Sequence, residues 1–303
     1  MKIQNENKKV SIVLPVYNGE LNVKSAINSI LEQTYKNFEL IIVNDCSTDG
    51  TESILYEYAK QDSRIKIINN SVNLKLPRTL NIGFGQASGD YYTWTSDDNL
   101  YRCNAIEKMV ETLESNIKFD MVYANYTNID GEGKILNEIH LEGPEQLPFG
   151  NVIGACFLYT KEIAEKVGEY DVNLFLAEDY DYWIRILRAG RILHIDDNLY
   201  FYRRHAGSLT ETKKKWINMQ TYKALEKNFL FICFFIKTKR ERYAFYEQLV
   251  FRVGKSSMIE TKAMLYKIDK GYARYDSNRR IREKIRNMTF CVKLYNLKSK
   301  YLK

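Results

Sequence analysis

Along the first hundred residues, short β-branched apolar runs alternate with turns rich in Asp, Asn, Ser or Gly and with stretches whose apolar positions recur at helical spacing. The pattern predicts strands at Val10 to Val16, Phe38 to Val43, Ile65 to Ile68 and Asp90 to Thr95. Between them it predicts helices: one carrying Ala26, Ile27, Ile30 and Leu31 on one face, one over Asp49 to Lys60, and one over Leu76 to Ala87. Such a βαβ succession implies an α/β fold, a mostly parallel sheet flanked by helices on both faces. Beyond residue 100 the pattern gives strands near Met121 to Asn125 and Ile135 to Ile139, with a hairpin-like turn at Asp130-Gly131-Glu132-Gly133. Helices from Lys161 and over Glu178 to Ala189 follow, then an aromatic strand at Leu199 to Tyr202. All four prolines precede residue 149, so the C-terminal region reads as mainly helical.

Composition sharpens this division. The net charge of +7 conceals 21 Lys+Arg against 30 Asp+Glu in residues 1–210, and 24 against 8 in residues 211–303. Two functional regions are therefore expected, one over 1–210 and a basic helical one over 211–303. Its apolar run from Phe229 to Ile236 is far shorter than the roughly 20 residues that span a bilayer. The polar N-terminus lacks the succession of a signal peptide. The expected location is thus the cytoplasm, with peripheral attachment to the inner face of the membrane as its extension. Five cysteines without paired spacing read as reduced, mostly buried thiols. Three histidines leave a catalytic metal dependent on carboxylates.

In an open α/β sheet, ligands bind beyond the carboxyl ends of the strands. The residues there are Pro15-Val16-Tyr17-Asn18, Asn44-Asp45-Cys46-Ser47-Thr48-Asp49-Gly50 and Ser96-Asp97-Asp98-Asn99. Adjacent carboxylates at Asp97 and Asp98 repel unless solvated or bridged by a cation, and oxygen ligands suit Mg²⁺ or Mn²⁺. The same Ser-Asp-Asp also suits the cap of a helix beginning near Tyr101. Asp45 reads equally as a turn residue or as an acceptor for a uracil N–H. The stretch Gly83-Phe-Gly-Gln-Ala-Ser-Gly89 fails as a dinucleotide fingerprint, because it closes a helix before a strand.

Five segments in order, Val10-Ser-Ile-Val-Leu-Pro-Val-Tyr-Asn18, Ile42-Val-Asn-Asp-Cys-Ser-Thr-Asp-Gly-Thr51, Trp94-Thr-Ser-Asp-Asp-Asn99, Ala177-Glu-Asp-Tyr-Asp-Tyr-Trp183 and Tyr202-Arg-Arg-His-Ala-Gly-Ser208, together resemble the family 2 inverting glycosyltransferases of the GT-A fold, with a form nearest a spore-coat polysaccharide type branch. The resemblance spans residues 8–210 and implies a catalytic domain over 1–210, with a Rossmann-like nucleotide-sugar half in 1–100 and an acceptor half in 101–210. It implies that Pro15, Tyr17 and Asp45 line the base pocket, that Arg78 reaches the nucleotide, and that Asp97 touches the ribose while Asp98 takes the metal. Where the family pattern often has a further aspartate this chain has Thr95, which leaves open whether Asp97 or Asp98 is the main ligand. The resemblance further implies Asp179 as catalytic base, with Glu178 as fallback, although both also suit the first turn of a helix. His205 would complete the metal site, and Arg203 and Arg204 would contact phosphate.

The implied activity is transfer of a hexosyl or hexosaminyl group from a UDP- or dTDP-sugar, with Mn²⁺ or Mg²⁺, to a glycan or lipid-linked acceptor in synthesis of a capsule, lipopolysaccharide or other bacterial surface polysaccharide. Two rivals are a sugar-phosphate nucleotidyltransferase, which would place a glycine-rich basic loop after the first strand, and a non-catalytic nucleotide-binding or membrane-scaffold protein. The basic region 211–303 suits an anionic membrane surface or a homodimer contact. No base-reading motif points to nucleic acid.

Overall fold

Seven consecutive residues at Val10–Val16 (β1) and seven at Phe38–Asn44 (β2) are almost wholly buried, because helices cover both faces of the sheet they form. The computed structural model describes residues 8–276. These divide into two compact units, one running to Lys213 and the other starting at Lys214.

The first unit alternates strand and helix through β1, α1 (Val23–Leu31), β2, α2 (Thr51–Gln61), β3 (Ile65–Asn69), α3 (Leu76–Phe84) and β4 (Tyr91–Trp94). After β5 (Leu100–Tyr101) come α4 (Ala105–Ser115), β6 (Met121–Ile129), β7 (Ile135–Ile139), β8 (Phe157–Thr160), α5 (Lys161–Val167), α6 (Glu178–Ala189), β9 (Ile192–Arg203) and α7 (Leu209–Thr212). One nine-stranded sheet results, in the order β3-β2-β1-β4-β8-β6-β9-β5, with β7 paired to β6. Pairing is parallel among β3, β2, β1 and β4, and again between β6 and β9. Antiparallel β8 joins the two halves. Strand order reverses beside β1, since β2 and β3 lie on one side and β4 on the other. The crevice beyond the ends of β1 and β4 is therefore the topological switch point where such sheets bind ligands.

The helices pack as their apolar spacing dictates: Ala26, Ile27 and Ile30 of α1 are fully buried. The glycines of the Gly83–Gly89 stretch answer to packing. A Cβ on Gly83 would lie 2.5 Å from Val13 Cγ1, and one on Gly89 would lie 2.6 Å from the Lys9 carbonyl. The structure also departs from the pattern in places. The helix expected near Tyr101 begins at Ala105, because Leu100 and Tyr101 pair with Phe201 and Tyr200 instead. Thus Ser96-Asp97-Asp98 caps no helix. Of the cysteines, Cys156 is buried, Cys46 and Cys233 are half-buried and Cys103 is exposed; Cys291 lies outside the described residues.

The second unit is helical: α8 (Lys214–Lys227), α9 (Phe229–Phe235), α10 (Lys239–Arg252), α11 (Gly254–Ile268) and α12 (Lys270–Tyr275). Phe229, Ile232, Phe245, Tyr246, Leu249, Leu265 and Tyr272 are buried in it. No helix among the described residues is long and apolar enough to cross a membrane.

One buried charge ties the parallel half together. Glu39 of β2 is nearly inaccessible; it accepts from Ser11 Oγ at 2.7 Å, from Ser88 N at 2.7 Å and from Lys66 Nζ at 2.8 Å. Burial alone would raise its pKa, but the Lys66 ammonium and the Ser88 and Ser11 hydrogen bonds outweigh burial and hold it well below the usual carboxylate range. Its stabilisation is thus present in full above the unfolded value of about 4.3 and is lost as pH falls toward the lower folded value. Glu39→Ala should lower the stability of the full chain by about 3 kcal/mol in urea at neutral pH. That deficit should shrink in parallel measurements as pH falls below the unfolded value; a constant deficit would show that the charge is not the cause.

Candidate active site

The loops after β1 and β2 are stitched to each other. Asn18, with φ 53°, donates its backbone N–H to Ser47 Oγ at 3.0 Å, and its Oδ1 accepts from Thr48 N at 2.8 Å. Gly19 N donates to Thr51 Oγ1 at 2.9 Å, which binds the β1 loop to the first residue of α2. Asp45, buried at the end of β2, spends its carboxylate locally: Oδ1 accepts from Asn70 Nδ2 and Leu74 N, each at 2.8 Å, and Oδ2 accepts from Lys75 N at 2.9 Å. These bonds hold the loop that enters α3, where Lys75 sits at φ 71°. A carboxylate offers about four acceptor positions, so one on Oδ2 remains for a ligand.

Pro15 lies within β1 opposite Val43, and pairing with β2 runs on through it to Val16 and Asn44. Tyr17 is half-exposed beside it. Arg78 lies in the first turn of α3, exposed and without a hydrogen bond or ion pair among the described residues. It is thus available to a ligand, whereas Asp45 is largely engaged.

Asp97 and Asp98 follow β4 at the switch point. Thr95, where a further aspartate stands in the resembled pattern, is buried and hydrogen-bonded to the Tyr200 hydroxyl, so it is part of the core and holds nothing beyond it. Asp97 is pushed up to about 7, first by burial and then by the charge of Asp98. Its Oδ2 lies where a side chain on Gly19 would begin: a Cβ there would be 2.2 Å away. Asp98 faces the end of β9. Its Oδ2 is 3.0 Å from His205 Nε2, and its Oδ1 is buried with no hydrogen-bond partner among the described residues.

Arg203 builds this corner. Its backbone N–H donates to Asn99 Oδ1 at 2.8 Å, its Nε to the Asp98 carbonyl at 2.9 Å and its Nη1 to the Gly131 carbonyl at 2.8 Å. Arg203, expected to contact phosphate, gives its Nε and Nη1 to main-chain oxygens. Arg204 is likewise paired, with Glu211.

At the start of α6, Glu178 and Asp179 part ways. Glu178 is buried; its Oε2 accepts from Leu176 N at 2.6 Å, beside the φ 80° backbone of Leu176, and burial and then the charge of Asp179 push it up to about 8. Asp179 is more accessible. Its Oδ1 accepts from Tyr180 N at 2.7 Å and its Oδ2 from Asn151 Nδ2 at 2.8 Å, and burial raises it. Asn151, in the unpatterned stretch before β8, carried no signal in the sequence. The helix is seated by aromatic packing, with Tyr182 stacked on Tyr170 at 4.0 Å and Trp183 against Phe157 at 4.5 Å. The Tyr202 phenol is raised, chiefly by burial, and the charges of Asp98 and Asp179 add to that.

No group of three His, Cys, Asp or Glu that could close around an ion exists among the described residues. Asp98 and His205 supply two donors, and the orphaned Oδ1 of Asp98 is an acceptor that no described residue fills. This set suits a divalent ion that takes its remaining positions from phosphate and water, as Mg²⁺ does.

A parallel nucleotide-binding half with acidic loops at its switch point, continued by a mixed half that brings a carboxylate helix to the same edge, is the architecture of the GT-A glycosyltransferases. The profile of glycosyl transferase family 2 matches residues 11–168. An uncharacterized glycosyltransferase of Rickettsia typhi is 31% identical over 244 residues, 76% of this chain and 74% of that one. The glycosyltransferase GlyG of Streptococcus pneumoniae is 27% identical over 223 residues, 67% of this chain and 73% of its own. The chain belongs to glycosyl transferase family 2. Among solved structures, TarS of S. aureus in complex with UDP-GlcNAc superposes with a TM-score of 0.57 at 16% identity, over 92% of this chain and 91% of that one. The mannosyltransferase PcManGT of Pyrobaculum calidifontis, in complex with GDP-Man and Mn²⁺, gives 0.58 at 15%, over 99% and 89%. At these identities the likeness speaks for the fold.

Gly19→Ala tests the placement of Asp97. The added methyl displaces a side-chain oxygen more than it disturbs the core, so the melting temperature should stay within a few degrees of wild type, about 2 °C at this chain length. Glycosyl transfer or donor hydrolysis should fall roughly tenfold to 100-fold, as for an ångström-scale misplacement. Undiminished activity would show that Asp97 needs no fixed position.

Proposed function

We propose that the chain is an inverting, metal-dependent hexosyl- or hexosaminyltransferase that takes a UDP- or dTDP-sugar and glycosylates a hydroxyl of a glycan or lipid-linked acceptor in bacterial surface polysaccharide synthesis. The observation that carries this reading is the Asp98 and His205 pair, with one buried carboxylate oxygen left without a partner at the switch point of the sheet. Asp98 and His205 would hold Mn²⁺ or Mg²⁺, which when bound neutralises the diphosphate charge as it departs. The Mn²⁺ in the PcManGT complex and the UDP-GlcNAc in the TarS complex support a metal and a nucleotide sugar.

The remaining roles follow from this chain's own residues. Pro15 and Tyr17 would flank the base, whose ring N–H donates to the remaining Oδ2 position of Asp45. Asp97, held beside Gly19 on the β1 side of the crevice, would accept from a ribose hydroxyl, which leaves Asp98 as the metal ligand. Arg78, unpaired on α3, would reach the nucleotide. Asp179 would take the proton of the acceptor hydroxyl as its oxygen bonds to the anomeric carbon and the bond to the diphosphate breaks; inversion requires this attack opposite the leaving group. Glu178 is the weaker choice, because its carboxylate is turned onto the Leu176 amide. A nucleotidyltransferase is disfavoured by the short acidic and amide loop after β1.

The test pairs two variants with a screen of nucleotide sugars. Asp179→Asn should abolish transfer while thermal stabilisation by UDP with Mn²⁺ persists; equal activity would remove Asp179 as the base. In Asn151→Ala the loss of a donor to the charged carboxylate raises the Asp179 pKa further. The acidic limb of the rate profile should then move to higher pH, and an unmoved limb would detach Asn151 from the reaction.

A further inference from the structure

In the second unit, α9 divides its apolar residues between two destinations. Phe229 and Ile232 are buried in the helical core, as is Ile236 just beyond its end, while Leu230 and Phe234, one helical turn apart, are 48% and 69% exposed. Phe231 and Phe235 flank them half-buried, their rings 5.6 Å apart. A contiguous apolar face of four large side chains thus looks away from the core of its own unit, and a helix placed only to fill that core would need no such face.

Its surroundings are cationic. Lys227 precedes α9, and Lys237, Lys239 and Arg240 follow it, all exposed, with Glu226 and Glu241 the acidic neighbours; Glu226 accepts from the Tyr222 hydroxyl at 3.3 Å. Glu241 is committed to a capping box with Thr238 at the start of α10. Lys239 and Arg240 occupy the first two positions of α10, where the helix dipole disfavours positive charge. Lys239 gains a partial offset from the Tyr243 ring, 5.4 Å away. Basic residues held at an adverse helix end, around an exposed phenylalanine and leucine face, are not accounted for by the stability of the unit.

From this juxtaposition we infer that the α9 face, with Lys227, Lys237, Lys239 and Arg240, docks on an anionic lipid bilayer. The apolar side chains enter the headgroup and acyl boundary, and the cations remain among the lipid phosphates. Charge complementarity selects this occupant. A second copy of the face would bring like charges together, and nucleic acid would satisfy the cations but leave Leu230 and Phe234 against water. The inference is independent of the donor and the acceptor.

Sedimentation of the full-length protein with vesicles of phosphatidylglycerol and phosphatidylcholine, against vesicles of phosphatidylcholine alone, reads the binding. Retention on the mixed vesicles alone, reduced by salt, is expected. Lys237→Ala, Lys239→Ala and Arg240→Ala should each weaken it about fivefold, and the last two should leave the melting temperature equal or higher. Leu230→Asp with Phe234→Asp should abolish retention while stabilisation by UDP with Mn²⁺ stays unchanged. Phe234→Trp provides a variant that adds a reporter, and its added fluorescence should be quenched by brominated anionic lipid. Absent vesicle binding, binding that survives the double aspartate variant, no quenching of the indole added by Phe234→Trp, a dimer that the double aspartate variant dissociates, or an RNA that competes the protein off the vesicles would each overturn the inference.

Discussion

Two carboxylates, Asp97 and Asp98, stand side by side at the end of β4, and the corner around them is built to hold that loop in place. Asp97 is driven toward the protonated form by burial and by its neighbour, and Asp98 keeps a buried oxygen without a donor. A guanidinium lies within reach of this loop, yet Arg203 gives its Nε to the Asp98 carbonyl and its Nη1 to the carbonyls of Asp130 and Gly131. The arrangement fixes the backbone of the loop and leaves the Asp98 carboxylate to His205 among the described residues. That histidine is itself a metal-ligand type. An acidic corner whose arginine is turned to the main chain suits the cation proposed for it.

The parallel half was legible because its strands are buried on both faces and read as continuous apolar runs, with turn residues marking each end. Asp45, Asp97 and Asp98 could be placed on one edge from chain order alone. The mixed half was not so readable. The aromatic end of β9 was visible at Leu199 to Tyr202, but its first part runs through Asp196, Asp197 and Asn198, which resemble a turn and become strand through pairing with β6, where the register shifts. β5 is two residues long and exists only by pairing with β9. The same pairing displaced the helix expected near Tyr101. Short strands of this kind are set by tertiary contacts, and local propensity does not reveal them.

Within the site, residue identity was legible and partnership was not. Asn99 meets Arg203 across 104 positions, and Asn151 meets Asp179 across 28. Neither asparagine belongs to a pattern that points to its partner. Thr95 shows the converse: its departure from the resembled pattern was visible, and the contact with Tyr200 explains it as a buried hydroxyl where a carboxylate would be stranded. The charge asymmetry between residues 1–210 and 211–303 also acquires a physical sense. A unit of net negative charge repels a free nucleoside diphosphate, and a divalent cation on the diphosphate weakens that repulsion.

Asp98 and His205 are the proposed grip of the protein on a metal. Anomalous scattering from crystals of the full chain grown with UDP and Mn²⁺ tests it. A manganese peak is expected within coordinating distance of an Asp98 carboxylate oxygen and of His205 Nε2, with the diphosphate on its far side. A peak held by Asp97 without Asp98, or UDP bound at the switch point with no manganese beside this pair, would contradict it.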